Sequence, residues 1–455
     1  MAVLRPYQVD LKDRTRAKIR EGARRIIIQM PTGAGKTLVA TSIIADATAK
    51  GSRSLFVAHR KELIEQCSRK LTDAGIDHGI IMANHWRSRP HLPVQIASIQ
   101  TLAHRALPAA NLIVIDESHR AMSPSYRALI DAYPQTVVLG LTATPTRIDG
   151  KGLGAIYDAI ISGPSIKDMT RDGYLVPIRH FAPFTPDLKT VHTVGGDYDE
   201  GELAEIMDKP KLTGDIIAHW KKIAQGRPTI VFTTTVDHSK HVTEGFRQAG
   251  INAVHVDGKT PARQRDQAFT FLASGRIDVL CNCGIAIEGV DIPVVSCVVL
   301  ARPTKSLVVY LQSVGRGMRP ADGKTDLIVL DHASCAITHG LVGEDRIWTL
   351  ESATKRAKKK EREMSVTTCP QCFAAYSSTI RKCPNCGFMP AAKERQIESV
   401  DGSLIEIDEI AFQRQRRIEV ARARSLEDLK KIEIARGYKP GWAHIRWNMR
   451  NKRQA

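Results

Sequence analysis

A chain of 455 residues exceeds what one ordinary hydrophobic core organises, which calls for two large domains and something smaller. Its formal net charge of +18 implies a polyanionic partner, nucleic acid first, although basic proteins also gain solubility or bind anionic membranes in this way. No apolar run approaches the roughly 20 residues of a membrane span, and the start MAVLRPYQVD lacks the apolar core of a secretory signal. No membrane association is therefore expected, and the location is expected to be the cytoplasm of a bacterial or phage-infected cell.

Taken in chain order, short β-branched runs appear at RIIIQM, SLFVAH, VQIASI, LIVID and TVVLGLT, separated by stretches of helical spacing such as TLVATSIIADATA. That alternation predicts a parallel sheet covered by helices. After RDGYLVPIRHFAP, which is rich in turn formers, the rhythm resumes with PTIVFTTT, NAVHVDG, IDVLCNC, VVSCVVLA and DLIVLDHA, so a second parallel sheet follows the first. The expected fold class is α/β, with the first domain over 1–168 and the second over 169–345. A basic linker helix over 346–366, built around ESATKRAKKKERE, leads to a small cysteine-bearing element at 367–390 and a basic, helical region at 391–455.

Directly after the first apolar run stands MPTGAGKT, at 30 to 37. Thr32, Gly33, Ala34 and Gly35 suit a phosphate cradle, because glycines let backbone N–H groups approach the oxygens while Lys36 supplies charge and Thr37 offers a hydroxyl to Mg²⁺. The strict pattern opens with Gly where this chain has Met30, so the loop needs a partner elsewhere. LIVIDESH, at 112 to 119, supplies one: a strand delivers its last side chains to the carboxyl edge of a sheet, where Asp116 can hold Mg²⁺ and Glu117 can orient and deprotonate a water. An acidic pair after a core strand alone would read as a helix cap. In the second half, YLQSVGRGMRP at 310 to 320 offers Arg316 and Arg319, whose spacing puts both on one helix face. An arginine reaching a γ-phosphate across a cleft is worth about 10³ to 10⁵ in turnover.

These motifs together resemble the superfamily 2 helicases and translocases, in which two RecA-like domains clamp ATP between them. The resemblance implies that RPYQ at 5 to 8 reads adenine, with Gln8 as base contact and Arg5 nearby. It implies strand-backbone contacts by Arg60 of VAHRKELIEQ, by Ser98 and Thr101 of SIQTL, and by Thr234 of VFTTTVDHS. LTATPTR, with Thr142 and Thr144, and His119 would couple hydrolysis to nucleic-acid grip. IEGVDIP would bring Gly289 and Asp291 to nucleotide and strand, and QSVGRGMR supplies Gln312, Arg316 and Arg319 as catalytic groups. Related proteins often carry Thr where this chain has Ile287, so one hydroxyl contact to phosphate is missing. DESH, TATP and a Gln-led last motif resemble DNA-directed branches more than the DEAD-box RNA helicases, which favours DNA, single-stranded or branched, over RNA. No strand-separating pin is evident.

Five of nine cysteines are scattered and four cluster in CPQCFAAYSSTIRKCPNCG, at 369 to 387, which argues against an extracellular disulfide framework. Cys369, Cys372, Cys383 and Cys386 form two Cys-x₂-Cys pairs that can present four thiolates to a structural Zn²⁺. The segment carries too little apolar content to fold alone. Residues 411–455 hold 13 Lys or Arg against 4 acids. There Tyr438, Trp442 and Trp447 alternate with cations, and two readings stay open: stacking on bases, or a small helical core. Helicase motifs, four-cysteine ribbon and GYKPGWA resemble the RadD (YejH)-like proteins of bacteria and their phage relatives, which implies work at repair or replication intermediates and a partner such as a single-strand-binding protein.

Overall fold

The computed structural model describes residues 3–147, 152–183, 186, 188, 190–284, 292–351 and 366–390, and, towards the C-terminus, 418–420, 422, 423, 425–436, 438, 439 and 441–451. Two compact units emerge, Met1–Pro390 and Ala391–Ala455.

In the first unit, seven strands form one parallel sheet: β1 (Arg25–Gln29), β2 (Ser54–Ala58), β3 (Gly79–Ile81), β4 (Val94–Ser98), β5 (Leu112–Asp116), β6 (Val137–Thr142) and β7 (Ala159–Ser162), in the order β3-β4-β2-β5-β6-β1-β7. Helices cover both faces, which is why central strands read as continuous apolar runs; every residue of β2, β4 and β5 is buried. Burying each large aliphatic side chain contributes about 1.5–3 kcal/mol.

The second sheet is also wholly parallel. It comprises β8 (Ile178–Phe181), then, after a short hairpin of β9 (Thr193–Val194) and β10 (Asp197–Tyr198), β11 (Thr229–Thr233), β12 (Ala253–Val256), β13 (Val279–Asn282), β14 (Cys297–Ala301) and β15 (Leu327–Asp331). Their order is β12-β13-β11-β14-β15-β8. RDGYLVPIRHFAP is therefore more than a turn-rich break, since it carries β8. Pro177 is tolerated at the entry to this edge strand because only its carbonyl is used, accepting from Leu327 N–H at 2.8 Å.

The two sheets share one seam. Val176 N–H donates to the Met318 carbonyl at 3.0 Å, and Leu175, Val176 and Met318 are buried in a core cluster that spans both domains. The start of the segment expected as a basic linker helix departs from that expectation. Residues 346–351 are not helical: Trp348 packs on the shared core and the Leu350 carbonyl accepts from Gly154 N–H at 3.0 Å. Apolar Trp348 and Leu350 outweigh the charge around them. Residues 352–365 lie outside the described residues, and Val366 opens β16.

β16 (Val366–Thr368) and β17 (Ala375–Ser377) pair antiparallel in the cysteine-bearing element, which docks on the β8 edge of the second sheet. Phe181 bridges Ala374, Ala182 N–H donates to the Phe373 carbonyl at 2.9 Å, and Arg179 Nη2 donates to Asn385 Oδ1 at 2.8 Å. Cys369, Ala374, Tyr376 and Cys383 share a core with Phe181, Trp220 and Ile328. The element thus covers a sheet edge and borrows the apolar partners its own sequence lacks.

Among its described residues, the second unit carries the helices Leu426–Ala435 and Trp442–Asn451, which pack on each other. Ser425 caps the first helix reciprocally with Asp428, and the Glu433 carboxylate accepts from Ala443 N–H at 2.6 Å at the start of the second. Trp442 and Trp447 pack against Leu429 and Ala443, which favours the helical-core reading of these aromatics.

Candidate nucleotide site

The phosphate loop follows β1 and ends in the Lys36–Ala49 helix, whose free N–H groups and dipole favour an anion. Gly33 (φ 87°) and Gly35 (φ 82°) hold left-handed backbone that side chains rarely adopt. At Gly35 a Cβ would also stand 2.6 Å from Gln8 Nε2.

Gln8 is buried and engages the protein with both ends of its amide. Its Nε2 donates to the Ala34 carbonyl at 2.9 Å and its Oε1 accepts from Arg5 N–H at 3.0 Å. Tyr7 Oη donates to the same Ala34 carbonyl at 2.9 Å. In this arrangement Gln8 braces the loop with one Nε2 proton and one Oε1 lone pair, and its amide keeps a second of each. Arg5 does line the cleft, with its Cζ 4.5 Å from the centre of the Tyr174 ring.

β5 delivers Asp116 and Glu117 to the opposite wall. Glu117 has φ 49° and ψ 52°, a left-handed conformation whose cost is of order 1–3 kcal/mol and which turns its carboxylate into the cleft. Asp116 Oδ1 accepts from Glu117 N–H at 3.0 Å. Burial, and then the neighbouring Glu117 charge, push the Asp116 carboxyl up to about 7. Burial likewise lowers Lys36, against the pull of Glu117 and Asp116. Two adjoining acids so desolvated are a donor set that fits a divalent cation, and Thr37 lines the same cleft. His119 Nδ1 stands 3.4 Å from Glu117 Oε2.

The second domain closes the site. Gln312 Nε2 donates to Glu117 Oε2 at 3.3 Å, and Arg316 and Arg319 line the cleft of about 310 Å³ with Lys36, Thr37, Asp116 and Glu117. The helix Leu307–Gly315 stops before Arg316, so the two arginines do not share a helix face as their spacing predicted; Gly315 and Gly317 end the helix in a turn that points both inwards. Thr32 packs against Gly315, where a Cβ would come within 2.6 Å of Thr32 Cβ.

Thr142 and Thr144 tie β6 to the phosphate loop. Thr142 Oγ1 donates to the Thr144 carbonyl at 3.0 Å and accepts from Thr144 N–H at 3.1 Å, while the Thr142 carbonyl accepts from Met30 N–H at 3.0 Å. Arg60, Ser98 and Thr101 stand at the carboxyl ends of β2 and β4, and Thr234 follows β11. Ser98 Oγ donates to Gln100 Oε1 at 2.6 Å. Thr234 is buried behind the central strand β11, and its hydroxyl pairs with His238 Nδ1 at 2.9 Å. Gly289, Asp291 and Ile287 lie outside the described residues. Tyr174 and Lys70 line the cleft although no motif marks them, and Leu63 and Gln66 of VAHRKELIEQ line it beside them. Tyr174 sits in the connection between the sheets, where an aromatic among turn formers was the only sign.

The four sulfurs of Cys369, Cys372, Cys383 and Cys386 lie within 4.8 Å of one another, with Cys369–Cys386 and Cys372–Cys383 at 3.6 Å. Four ligands about 2.3 Å from a tetrahedral zinc stand roughly 3.8 Å apart, so the cluster fits that ion and leaves no open position.

Residues 1–147 match the family described as type III restriction enzyme, res subunit, and residues 208–321 match the helicase conserved C-terminal domain. A 51.5 kDa protein of a Lactococcus phage is 33% identical over 365 residues, covering 79% of this chain and 77% of its own. IRC3 of Saccharomyces cerevisiae, which carries the name of an ATP-dependent helicase, is 30% identical over 353 residues; the alignment covers 72% of this chain but only 51% of IRC3. In fold, the chain is similar to a fragment assigned as the HsdR subunit of a type I restriction enzyme from Vibrio vulnificus (TM-score 0.60, 22% identity, 75% of this chain and 66% of that one). With two RecA-like domains facing one cleft that joins Lys36, Asp116 and Glu117 to Gln312, Arg316 and Arg319, and with both family models matching in order, the chain belongs to the superfamily 2 helicases and is an ATP-hydrolysing enzyme of that family.

Proposed function

We propose that the protein is a DNA-dependent ATPase that converts domain closure into movement along, or separation of, DNA strands. The observation that carries this reading is the composite cleft: the first domain supplies the phosphate loop and both acids, the second supplies Gln312, Arg316 and Arg319. Glu117 accepts the proton of the attacking water, held in place by Gln312 and His119. Lys36 and the arginines oppose the charge that develops on the phosphoryl oxygens. Mg²⁺, held by Thr37 and Asp116, would supply further charge neutralisation between the phosphates. When the domains part, the arginines leave and turnover stops, so a strand that favours closure accelerates hydrolysis.

The net charge of +18 supports a nucleic-acid partner, and the DESH and TATP motifs favour DNA over RNA. The ribbon, read as a structural zinc site, and the basic helical pair supply the further features of the RadD-like reading and of work at repair, recombination or replication intermediates. The match of residues 1–147 to a restriction-enzyme subunit favours a second reading, translocation on duplex DNA without strand separation.

Steady-state ATP hydrolysis with no nucleic acid, single-stranded DNA, duplex, forked DNA and RNA, each beside Glu117→Gln, tests the proposal. Stimulation by DNA that the variant lacks is the expected result. Equal rates throughout would overturn it. Fork unwinding against displacement of a third strand from a duplex then separates the two readings.

A further inference from the structure

We propose that Trp86 is a stacking platform for an unpaired base, set at the end of the track that the carboxyl edge of the first sheet offers a single strand; this rests on the reading of the protein as a DNA-dependent ATPase. Trp86 is 80% exposed, an unusual state for so large an apolar side chain in a segment this firmly held. Asn84 turns the chain with φ 54°, and His85 N–H donates to the Met82 carbonyl at 3.3 Å. His85 Nδ1 accepts from Arg87 N–H at 3.1 Å and its Nε2 lies 3.2 Å from Glu65 Oε1. The Arg87 carbonyl accepts from Ile80 N–H at 2.9 Å, while its guanidinium donates to the His78 carbonyl at 3.2 Å and to Thr72 Oγ1 at 3.1 Å. Every residue beside the indole is fastened, and the indole is left out.

Topology gives its place. β3 runs parallel to β4 at the sheet's edge, so the turn after β3 emerges at the same carboxyl edge as Ser98 at the end of β4 and, one strand further, Arg60 after β2. His85 also clasps Glu65 on the Lys61–Asp73 helix, which Arg60 caps and which reaches the second domain through Glu62, 3.1 Å from Arg265.

The chemistry around the ring suits a nucleotide. His85 stacks on one side of it with ring centres 5.8 Å apart, and the Arg87 guanidinium stands 5.9 Å from its centre. Arg87 and Arg89 share one carboxylate, Asp77, while Glu65 is engaged by His85, so the two guanidiniums are the groups beside the ring that can meet a phosphate. Ser88, Arg89 and Pro90 around it are exposed, so this is a single aromatic face in basic, polar surroundings, not an apolar groove for a protein helix.

Fluorescence anisotropy of a labelled single-stranded oligodeoxynucleotide, with the full chain and no ATP, tests this. Loss of one stacked base corresponds to a dissociation constant raised about 5- to 150-fold in Trp86→Ala, and Trp86→Phe should recover most of it. An oligomer of abasic units should bind wild type more weakly than the natural strand by a similar factor, and Trp86→Ala should discriminate far less between the two. If Trp86→Ala binds both probes as wild type does, the proposal is wrong, and a protein ligand for this indole becomes the better account. Binding that depends on Trp86 without any DNA stimulation of hydrolysis would keep the platform and overturn the ATPase reading; no binding by wild type would overturn both.

Discussion

Gly315→Ala perturbs the contact between the two domains with a single methyl group. Gly315 ends the Leu307–Gly315 helix in ordinary right-handed backbone, and alanine there favours the helix by up to about 1 kcal/mol. Folding of the second domain should therefore survive. Across the cleft, however, the new Cβ would stand 2.6 Å from Thr32 Cβ, 2.8 Å from its Cγ2 and 2.9 Å from its Oγ1. Thr32 Cβ is fixed to the phosphate-loop backbone, so no rotamer relieves the overlap. Reaching the 3.4 Å of ordinary contact requires the domains to part by about 0.8 Å. Arg316 follows Gly315 directly and moves with it. A misplacement near 1 Å costs on the order of 10²-fold in rate, so kcat for ATP should fall by about that factor, with KM changed little because Lys36 and its loop stay in place. Steady-state hydrolysis at saturating DNA, beside a thermal melt, reads both. A kcat within about threefold of wild type in a folded protein would show that this contact is not made during turnover.

Three further outcomes follow from particular contacts. Cys383→Ser should release one zinc per chain and lower the melting temperature of the second domain as well as the ribbon, since Cys383 shares a core with Phe181 and Trp220; structural zinc is worth on the order of 10 kcal/mol in small sites. Protein purified without zinc and melting normally would contradict this. His180 and His332 are buried, which lowers them to about 4 and about 3 from 6.5. Both are neutral in the folded state while the unfolded chain takes up protons below 6.5, so stability should fall as pH drops from there towards the folded values, by about 2 kcal/mol per histidine at about pH 5. A melting midpoint that stays flat between about pH 7.5 and about pH 5 would refute this. Gly35→Ala should abolish nucleotide binding, because it meets both a left-handed backbone and Gln8 Nε2 at 2.6 Å; binding of a fluorescent ATP analogue at wild-type affinity would refute the assigned loop geometry.

Central strands were legible because burial on both faces writes them as unbroken apolar runs: LIVID and IDVLCNC show this directly. The edge strands β3, β7 and β8 were not, since they have only three or four residues and β8 hides behind Pro177, although β12, an edge strand just as short, was read from NAVHVDG. Lys36, Asp116 and Glu117 could be read because each follows a strand of the same sheet. Tyr174, Thr32 against Gly315, and Gln8 on Ala34 could not, because they are pairings between distant segments that periodicity does not encode. The arginines were found by motif, yet their presentation from a turn rather than a helix face depended on where the helix stopped. The four clustered cysteines were explicit in their spacing, whereas the core their element shares with β8 had no local sign.

Single-turnover hydrolysis by Arg316→Ala and Arg319→Ala, with DNA saturating and ATP-analogue binding measured beside it, tests the composite site most directly. Turnover lowered by about 10³-fold or more with nucleotide binding kept is the expected result. Unimpaired turnover in both variants would mean that the first domain hydrolyses ATP without the second, and that domain closure is not the coupling step.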